Sequence, residues 1–272
     1  MKDGVSGNRK KFGRIVEDIK SVRIQGARNI AKEAIKAYFI LPSDKSKKIL
    51  FNSRPTEPMM KKVLGMVGHF PKKEILSHFD FAQERINRLV FKLIKENSVI
   101  FTHCHSTNVS NALIYAKKRG KKFEVYNTET RPLYQGRKTA KELRKAGIKV
   151  TMFVDSGMNL AIDKSDAVFI GADALLRKGI INKIGSNLAA EIAKYHKKSF
   201  YVVADSWKFT KEKIPMEQRP LNEVWDKAPK RVKIKNPAFE FVPKKYITGI
   251  VSEFGTTSYD KFLAEVAIKS KE

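Results

Sequence analysis

Cysteine is almost missing: Cys104 is the only one in 272 residues. A single thiol excludes an internal disulfide framework, so a reducing, cytoplasmic setting is the expectation. Long apolar runs are missing as well. No stretch approaches the ~18 residues needed to span a bilayer, so no membrane role is expected. The opening "MKDGVSGNRKKFGRIVED" has no apolar block of the secretory type. Low-complexity tracts and internal repeats are absent, and 42% of the residues are hydrophobic, which is enough for a well-buried core.

Acidic residues are scarce. They number 28 against 55 lysines and arginines, for a formal charge of +27. That excess would suit nucleic acid, yet it is spread along the chain without a basic tail or dense block. The barest stretch, "TMFVDSGMNLAIDKSDAVFIGADAL", holds only Lys164. A dispersed excess fits a solvated lysine-rich surface or an affinity for small phosphorylated ligands equally well. Nucleic acid is therefore not a required partner.

Two regions differ in period. Residues 9–96 repeat apolar positions three and four apart, as in "FGRIVEDIKSV", "NIAKEAIKAYFIL", "MMKKVLGMVGHF" and "FAQERINRLVFKLIKEN". Gly26, the Pro42-Ser43-Asp44 step, Pro55, Pro58 and Pro71 punctuate them, which predicts about four helices. From residue 98, short apolar runs ("SVIFTH", "FEVYNTE", "KVTMFVDS", "DAVFIGAD", "SFYVVADS", "YITGIVSE") alternate with amphipathic stretches. The expected fold is α/β: a Rossmann-like, mainly parallel sheet at 97–272, preceded by a helical N-terminal domain at 1–96. "VKIKNPAFEFVPKKYITGIVSEFG" is expected to close the sheet.

In such a sheet, ligands collect outside the carboxyl ends of the strands. Cys104, in "FTHCHSTNVS", and Asp173, in "VFIGADALL", both fall there. Cys104 could be a buried small apolar residue, a metal ligand or a thiol that touches substrate. Its place between a strand and a helix beginning near Thr107 favours the thiolate. His103 and His105, two apart, share the opposite face of an extended segment, which argues against a pair between adjacent residues. No second cysteine or spaced histidine motif completes a zinc site, so no metal is expected. Asp173 reads as a turn former or as a carboxyl whose pKa burial would raise into a useful range.

Anion seats are offered by "RIQGARNIAKEA", where Gly26 and Arg28 open a helix. Others are "NSRPTEP", with Arg54 before Pro55, and "ETRPLYQGRKTAKEL". The glycine spacing is not that of a Walker loop.

Taken together, "IQGARNIA", "SRPT", "THCHS", "TETRPLYQGRKTAKEL", "VDSG", "GADALLRKGIINKIGS", "ADSWKF" and "NPAFEFVP" resemble one superfamily across most of the chain. It contains the alpha, beta and delta regulatory subunits of the exchange factor for eukaryotic initiation factor 2 and their archaeal homologues. It also contains isomerases of methylthioribose 1-phosphate and ribose 1,5-bisphosphate. The resemblance implies a helical region followed by a Rossmann-like domain. It implies catalytic roles for Cys104 and Asp173, and the regulatory subunits commonly lack one or both of these residues.

Phosphate and sugar contacts are implied for Gln25, Gly26, Ala27, Arg28, Arg54, His105, Ser106, Arg131, Asn182, Lys183 and Lys208. Gln25 stands where the ribose 1,5-bisphosphate enzyme usually has arginine. The implied reaction is aldose–ketose isomerisation of a sugar 1-phosphate, most closely ribose 1,5-bisphosphate. In it Asp173 protonates the ring oxygen and Cys104, as thiolate, removes the carbon-two proton, with no cofactor. The rival implication is a non-catalytic regulatory subunit that binds a nucleotide or sugar phosphate beside an initiation-factor partner. A homo-oligomer, dimer or larger, is implied in either case.

Overall fold

The computed structural model describes residues 2–24 and 26–269. Among these, five helices precede the first strand: α1 (Lys2–Lys20), α2 (Ala27–Ile40), α3 (Asp44–Ser53), α4 (Pro58–Met66) and α5 (Lys72–Leu93). This is one helix more than the apolar period predicts. The Pro42-Ser43-Asp44 step, read as a breaker, is also a start signal. Ser43 Oγ accepts the Ser46 amide at 3.1 Å and caps α3. Ala27, Ala31, Ile35, Met59, Val63 and Phe79 pack one buried cluster of this region. Helix α5 reaches further, because Ile86 and Val90 belong to the core of the following sheet.

The chain then alternates strand and helix through β1 (Ser98–Thr102), α6 (Thr107–Lys118), β2 (Phe123–Thr128), α7 (Gln135–Lys145), β3 (Lys149–Phe153), α8 (Met158–Asp163) and β4 (Ala167–Ile170). A short pair, β5 (Ala174–Leu175) and β6 (Gly179–Lys183), leads into α9 (Ser186–Tyr195) and β7 (Ser199–Val203). After a long irregular stretch come β8 (Phe239–Pro243), β9 (Gly249–Ser252), β10 (Gly255–Thr257) and α10 (Tyr259–Lys269). All six apolar runs singled out in the sequence are strands of one seven-stranded sheet, ordered β10-β9-β7-β4-β1-β2-β3. Its pairings are parallel except for β10 with β9.

Residues alternate across the sheet as the two-residue period requires. Ile100, Val125, Phe169 and Val203 face α5 and α6, whereas Phe101, Val168, Ile170 and Val202 face α8 and α9. Fully burying one such phenylalanine contributes about 2–3 kcal/mol. Both faces being covered explains why the strands read as unbroken apolar runs.

The stretch expected to close the sheet divides in two. Strands β9 and β10 form its edge, but β8 joins β5 and β6 in a separate three-stranded antiparallel sheet. Strand β5 has two residues and β6 is buried at every position, so neither shows an alternating pattern. No helix among the described residues is long and apolar enough to cross a membrane.

The strand order fixes where a ligand can go. From β1 the chain moves outward through β2 and β3, then returns to lay β4 on the other side of β1. The direction reverses between β1 and β4, and their carboxyl ends diverge into a crevice. Cys104 follows β1 and Asp173 follows β4.

Candidate active site

A cavity of about 120 Å³ opens at this reversal. Its wall includes Cys104 and Asp173, together with Gly26, Ala27, Arg28, Arg54, His105, Ser106, Asn182, Lys183 and Lys208. Eleven of the thirteen site residues expected from the sequence therefore share one space. Arg131 does not. The Asp155 carboxylate accepts the amides of Thr130 and Arg131 at 2.8 and 2.7 Å, and the Arg131 side chain turns outward. There it donates to the Tyr134 hydroxyl at 2.5 Å and to the Val224 carbonyl at 3.0 Å. Gln25 lies outside the described residues.

The backbone of Cys104 is held in an unusual shape. Its φ of +65° is costly for a residue with a side chain, and two threonines hold it there. Thr130 Oγ1 accepts the Cys104 amide at 3.0 Å, and Thr139 Oγ1 donates to its carbonyl at 2.9 Å. The result keeps the thiol on the cavity wall. Next to it Ser106 caps α6, its Oγ accepting the Val109 amide at 3.4 Å. Gly171 makes room for that cap, since a Cβ there would sit 2.5 Å from Ser106 Oγ.

Helices α6 and α2 both begin at the cavity, through Ser106-Thr107 and Gly26-Ala27, and neither has an acidic residue in its first turn. Two helix amino termini, with Lys183 and Lys208 nearby, make a seat for an anion. Lys208 Nζ donates to the Ala172 carbonyl at 2.6 Å, next to Asp173. Asn182 donates to Ser186 Oγ at 2.8 Å. Arg28 is held by Asp80 at 2.6 Å and Gln83 at 3.2 Å.

The electrostatics correct one expectation. Burial pushes the Cys104 thiol up to about 12, and neither Lys183 nor the nearby His105 backbone offsets it. The sequence suggested a thiolate favoured by cations and a helix end, whereas desolvation outweighs both here. The neighbouring histidines supply no positive charge. Burial, with Lys138 adding to it, pushes His105 down to about 4. Burial also lowers His103, which is held by Thr128 Oγ1 at 2.5 Å and the Ile184 carbonyl at 2.8 Å. Asp173 behaves as anticipated: burial raises it, against the pull of Lys208, Arg54 and Lys183.

Three charged residues of the wall escaped the sequence reading: Glu57, Glu217 and Arg219. Glu217 sits 2.8 Å from Arg54 and 3.3 Å from Arg219. It comes from the irregular stretch between β7 and β8, which carries no periodic signal. Glu57 precedes Pro58 in "RPTEP" at the start of α4, and only its place between two prolines hinted at a special role.

Elsewhere, His78, Asp205 and Glu253 bring ligand atoms within 4.8 Å of one another, a spacing that could suit a metal ion. Their oxygens already accept protein hydrogens, from Trp207 N at 2.8 Å, Ser206 N at 3.1 Å and Ser206 Oγ. His78 lies 3.1 Å from Asp205 and stacks on Trp207 with ring centroids 3.5 Å apart. The cluster ties α5 to the segment carrying Lys208.

Comparison with known proteins agrees with this architecture. The chain is 34% identical over 291 residues to a ribose 1,5-bisphosphate isomerase of Thermococcus kodakarensis, covering 89% of each. It is 32% identical over 275 residues to one of Archaeoglobus fulgidus, covering 88% of this chain and 87% of that protein. A crystal structure described as translation initiation factor eIF-2B of Pyrococcus horikoshii superposes with a TM-score of 0.80 at 26% identity. The match covers 91% of this chain and 96% of that one. The model of the "Initiation factor 2 subunit family" matches residues 71–258, from the start of α5 to the end of the small edge hairpin, and the chain belongs to that family.

Proposed function

We propose that this protein is an aldose–ketose isomerase that converts ribose 1,5-bisphosphate to ribulose 1,5-bisphosphate. One observation carries the reading: a thiol and a carboxyl, on loops after adjacent strands, line the same cationic cavity. The names and the identity of the relatives support it.

A sugar phosphorylated on its anomeric oxygen cannot open its ring unaided. In the proposed reaction the Cys104 sulfur takes the proton from carbon two while the Asp173 carboxylic acid gives its proton to the ring oxygen. The bond from carbon one to the ring oxygen breaks, leaving an enol between carbons one and two. Asp173, now a carboxylate, takes the proton of the carbon-two hydroxyl, and Cys104 returns its proton to carbon one. The ketose forms and both residues are restored, with no net oxidation. Raised by burial, Asp173 suits the acid role. Cys104 must give up a tightly held proton first, so the base form is scarce at neutral pH. Lys183, Lys208 and the two helix amino termini would hold phosphate and offset the negative charge of the enol.

The enzyme reading further includes assembly with copies of itself, supported by Val154 and Leu160, which leave large apolar side chains about 60% exposed (59% and 61%). The test of function is incubation with ribose 1,5-bisphosphate and, separately, methylthioribose 1-phosphate, followed by NMR. Ketose from the first is the expected result. No ketose from either, with tight sugar-phosphate binding intact, would favour the regulatory-subunit reading.

A further inference from the structure

Glu57 is a second buried acid on the cavity wall, and the isomerisation above gives it no task. It lies where α3 passes into α4, with its side chain 4% exposed. Its Oε1 is 3.9 Å from Arg54 Nε, too far for a hydrogen bond. Among the described residues its Oε2 has no hydrogen-bond partner, and neither does Arg54 Nε. Arg54 instead gives Nη2 to Glu217, which Arg219 also holds. An unmet carboxyl oxygen and an unmet guanidinium N–H thus sit side by side in the wall of a cavity built for an anion. Buried groups of this kind are costly unless a partner completes them.

The groups that face Glu57 decide its charge. Arg54 and Lys208 favour the carboxylate, while Asp173 and Glu217 oppose it. Burial is the largest influence, and it pushes Glu57 up to about 8. At neutral pH the carboxyl therefore keeps its proton. A neutral acid can donate to an anion, whereas a carboxylate would repel it.

We propose that Glu57 is a substrate-binding residue that works in its protonated form, donating its carboxyl hydrogen to a phosphate group that Arg54 and Lys208 also face. The proposal rests on the sugar-phosphate reading of this site and deepens it. It makes anion binding dependent on pH through a residue that takes no part in moving protons on the sugar. The sign follows directly. Below about pH 8 Glu57 is a donor and binding is at full strength; above it the carboxylate forms and binding weakens, tenfold per pH unit once well past that point.

The experiment is calorimetric titration of ribose 1,5-bisphosphate at pH 7 and pH 9 in a Cys104→Ser background, which suppresses turnover. It compares the protein that is wild type at position 57 with Glu57→Gln, whose amide imitates the neutral acid. Phosphate is essentially dianionic at both values, so its own titration adds little. Wild-type affinity is expected to fall about tenfold between the two. Glu57→Gln is expected to bind at pH 7 within a few-fold of wild type and to lose the dependence. Thermal melts of both proteins at both pH values check that each stays folded.

A flat wild-type profile overturns the proposal. So does an equal fall in Glu57→Gln, which would assign the proton to another group, and so does a Glu57→Gln variant that binds far more tightly at both pH values, since Glu57 would then be a repelling carboxylate. Absence of binding by wild type at millimolar ligand overturns it as well. Binding is read in the Cys104→Ser background and turnover separately on the unsubstituted chain. The predicted binding profile without any ketose from the unsubstituted chain would therefore refute the isomerase reading and leave this one standing.

Discussion

Cys104 being the only cysteine makes its proton directly measurable. The structure holds it at about 12, because burial outweighs Lys183. An ordinary exposed thiol titrates near 8.5, so at pH 8 about a quarter of it is thiolate. At a pKa of about 12 the fraction is about one in ten thousand. Alkylation consumes the thiolate, so iodoacetamide should label Cys104 roughly two-thousandfold more slowly than a free thiol at pH 8. The rate should climb about tenfold per pH unit from 7 to 10 without levelling. Mass spectrometry of the intact chain gives the rate, with no other thiol to confuse it. Lys183→Met should slow labelling further, since Lys183 is the largest influence lowering the thiol's pKa. An inflection at or below pH 8 would refute the reasoning and restore the cation-stabilised thiolate that the sequence suggested.

Cys104→Ser and Asp173→Asn should each reduce ketose formation by ~10²–10⁴-fold while thermal melting shows a folded protein; wild-type turnover in either removes the mechanism. Gly171→Ala forces a Cβ to within 2.7 Å of Ser106 Cβ and displaces the α6 cap. It should cost about 1–3 kcal/mol of stability and raise KM, read by denaturant titration and steady-state kinetics. An unchanged KM would mean that Ser106 does not contact the ligand.

Much of this site could be read from the sequence because its signals are local. Each buried strand ends in polar residues, and the rule that ligands collect at the carboxyl ends of a parallel sheet already put Cys104 and Asp173 near one crevice. The reversal between β1 and β4, in contrast, is visible only in the strand order. Gly26 was legible as a helix start, and so was a start near Thr107, for the same reason. What was hidden depends on distant chain. Glu217 reaches Arg54 across 163 positions, from a segment with no period. The thiol's pKa follows from how completely the surrounding loops and helices exclude water, which "THCHS" alone does not encode. Arg131 looked like an anion ligand in "ETRP", but Asp155, 24 residues away, grips its amide and points it outward. Ser43 does lie in a break, between α2 and α3, but that it also caps a further helix was hidden because a helix cap and a turn use the same residues.

The central claim is that one sugar lies between Cys104 and Asp173. The most direct measurement is a crystal structure of the Asp173→Asn variant with ribose 1,5-bisphosphate. The account predicts Cys104 Sγ about 3–3.5 Å from carbon two and the side chain at 173 within hydrogen-bonding reach of the ring oxygen. A sugar seated outside the cavity, or bound with carbon two turned away from the sulfur, would contradict it.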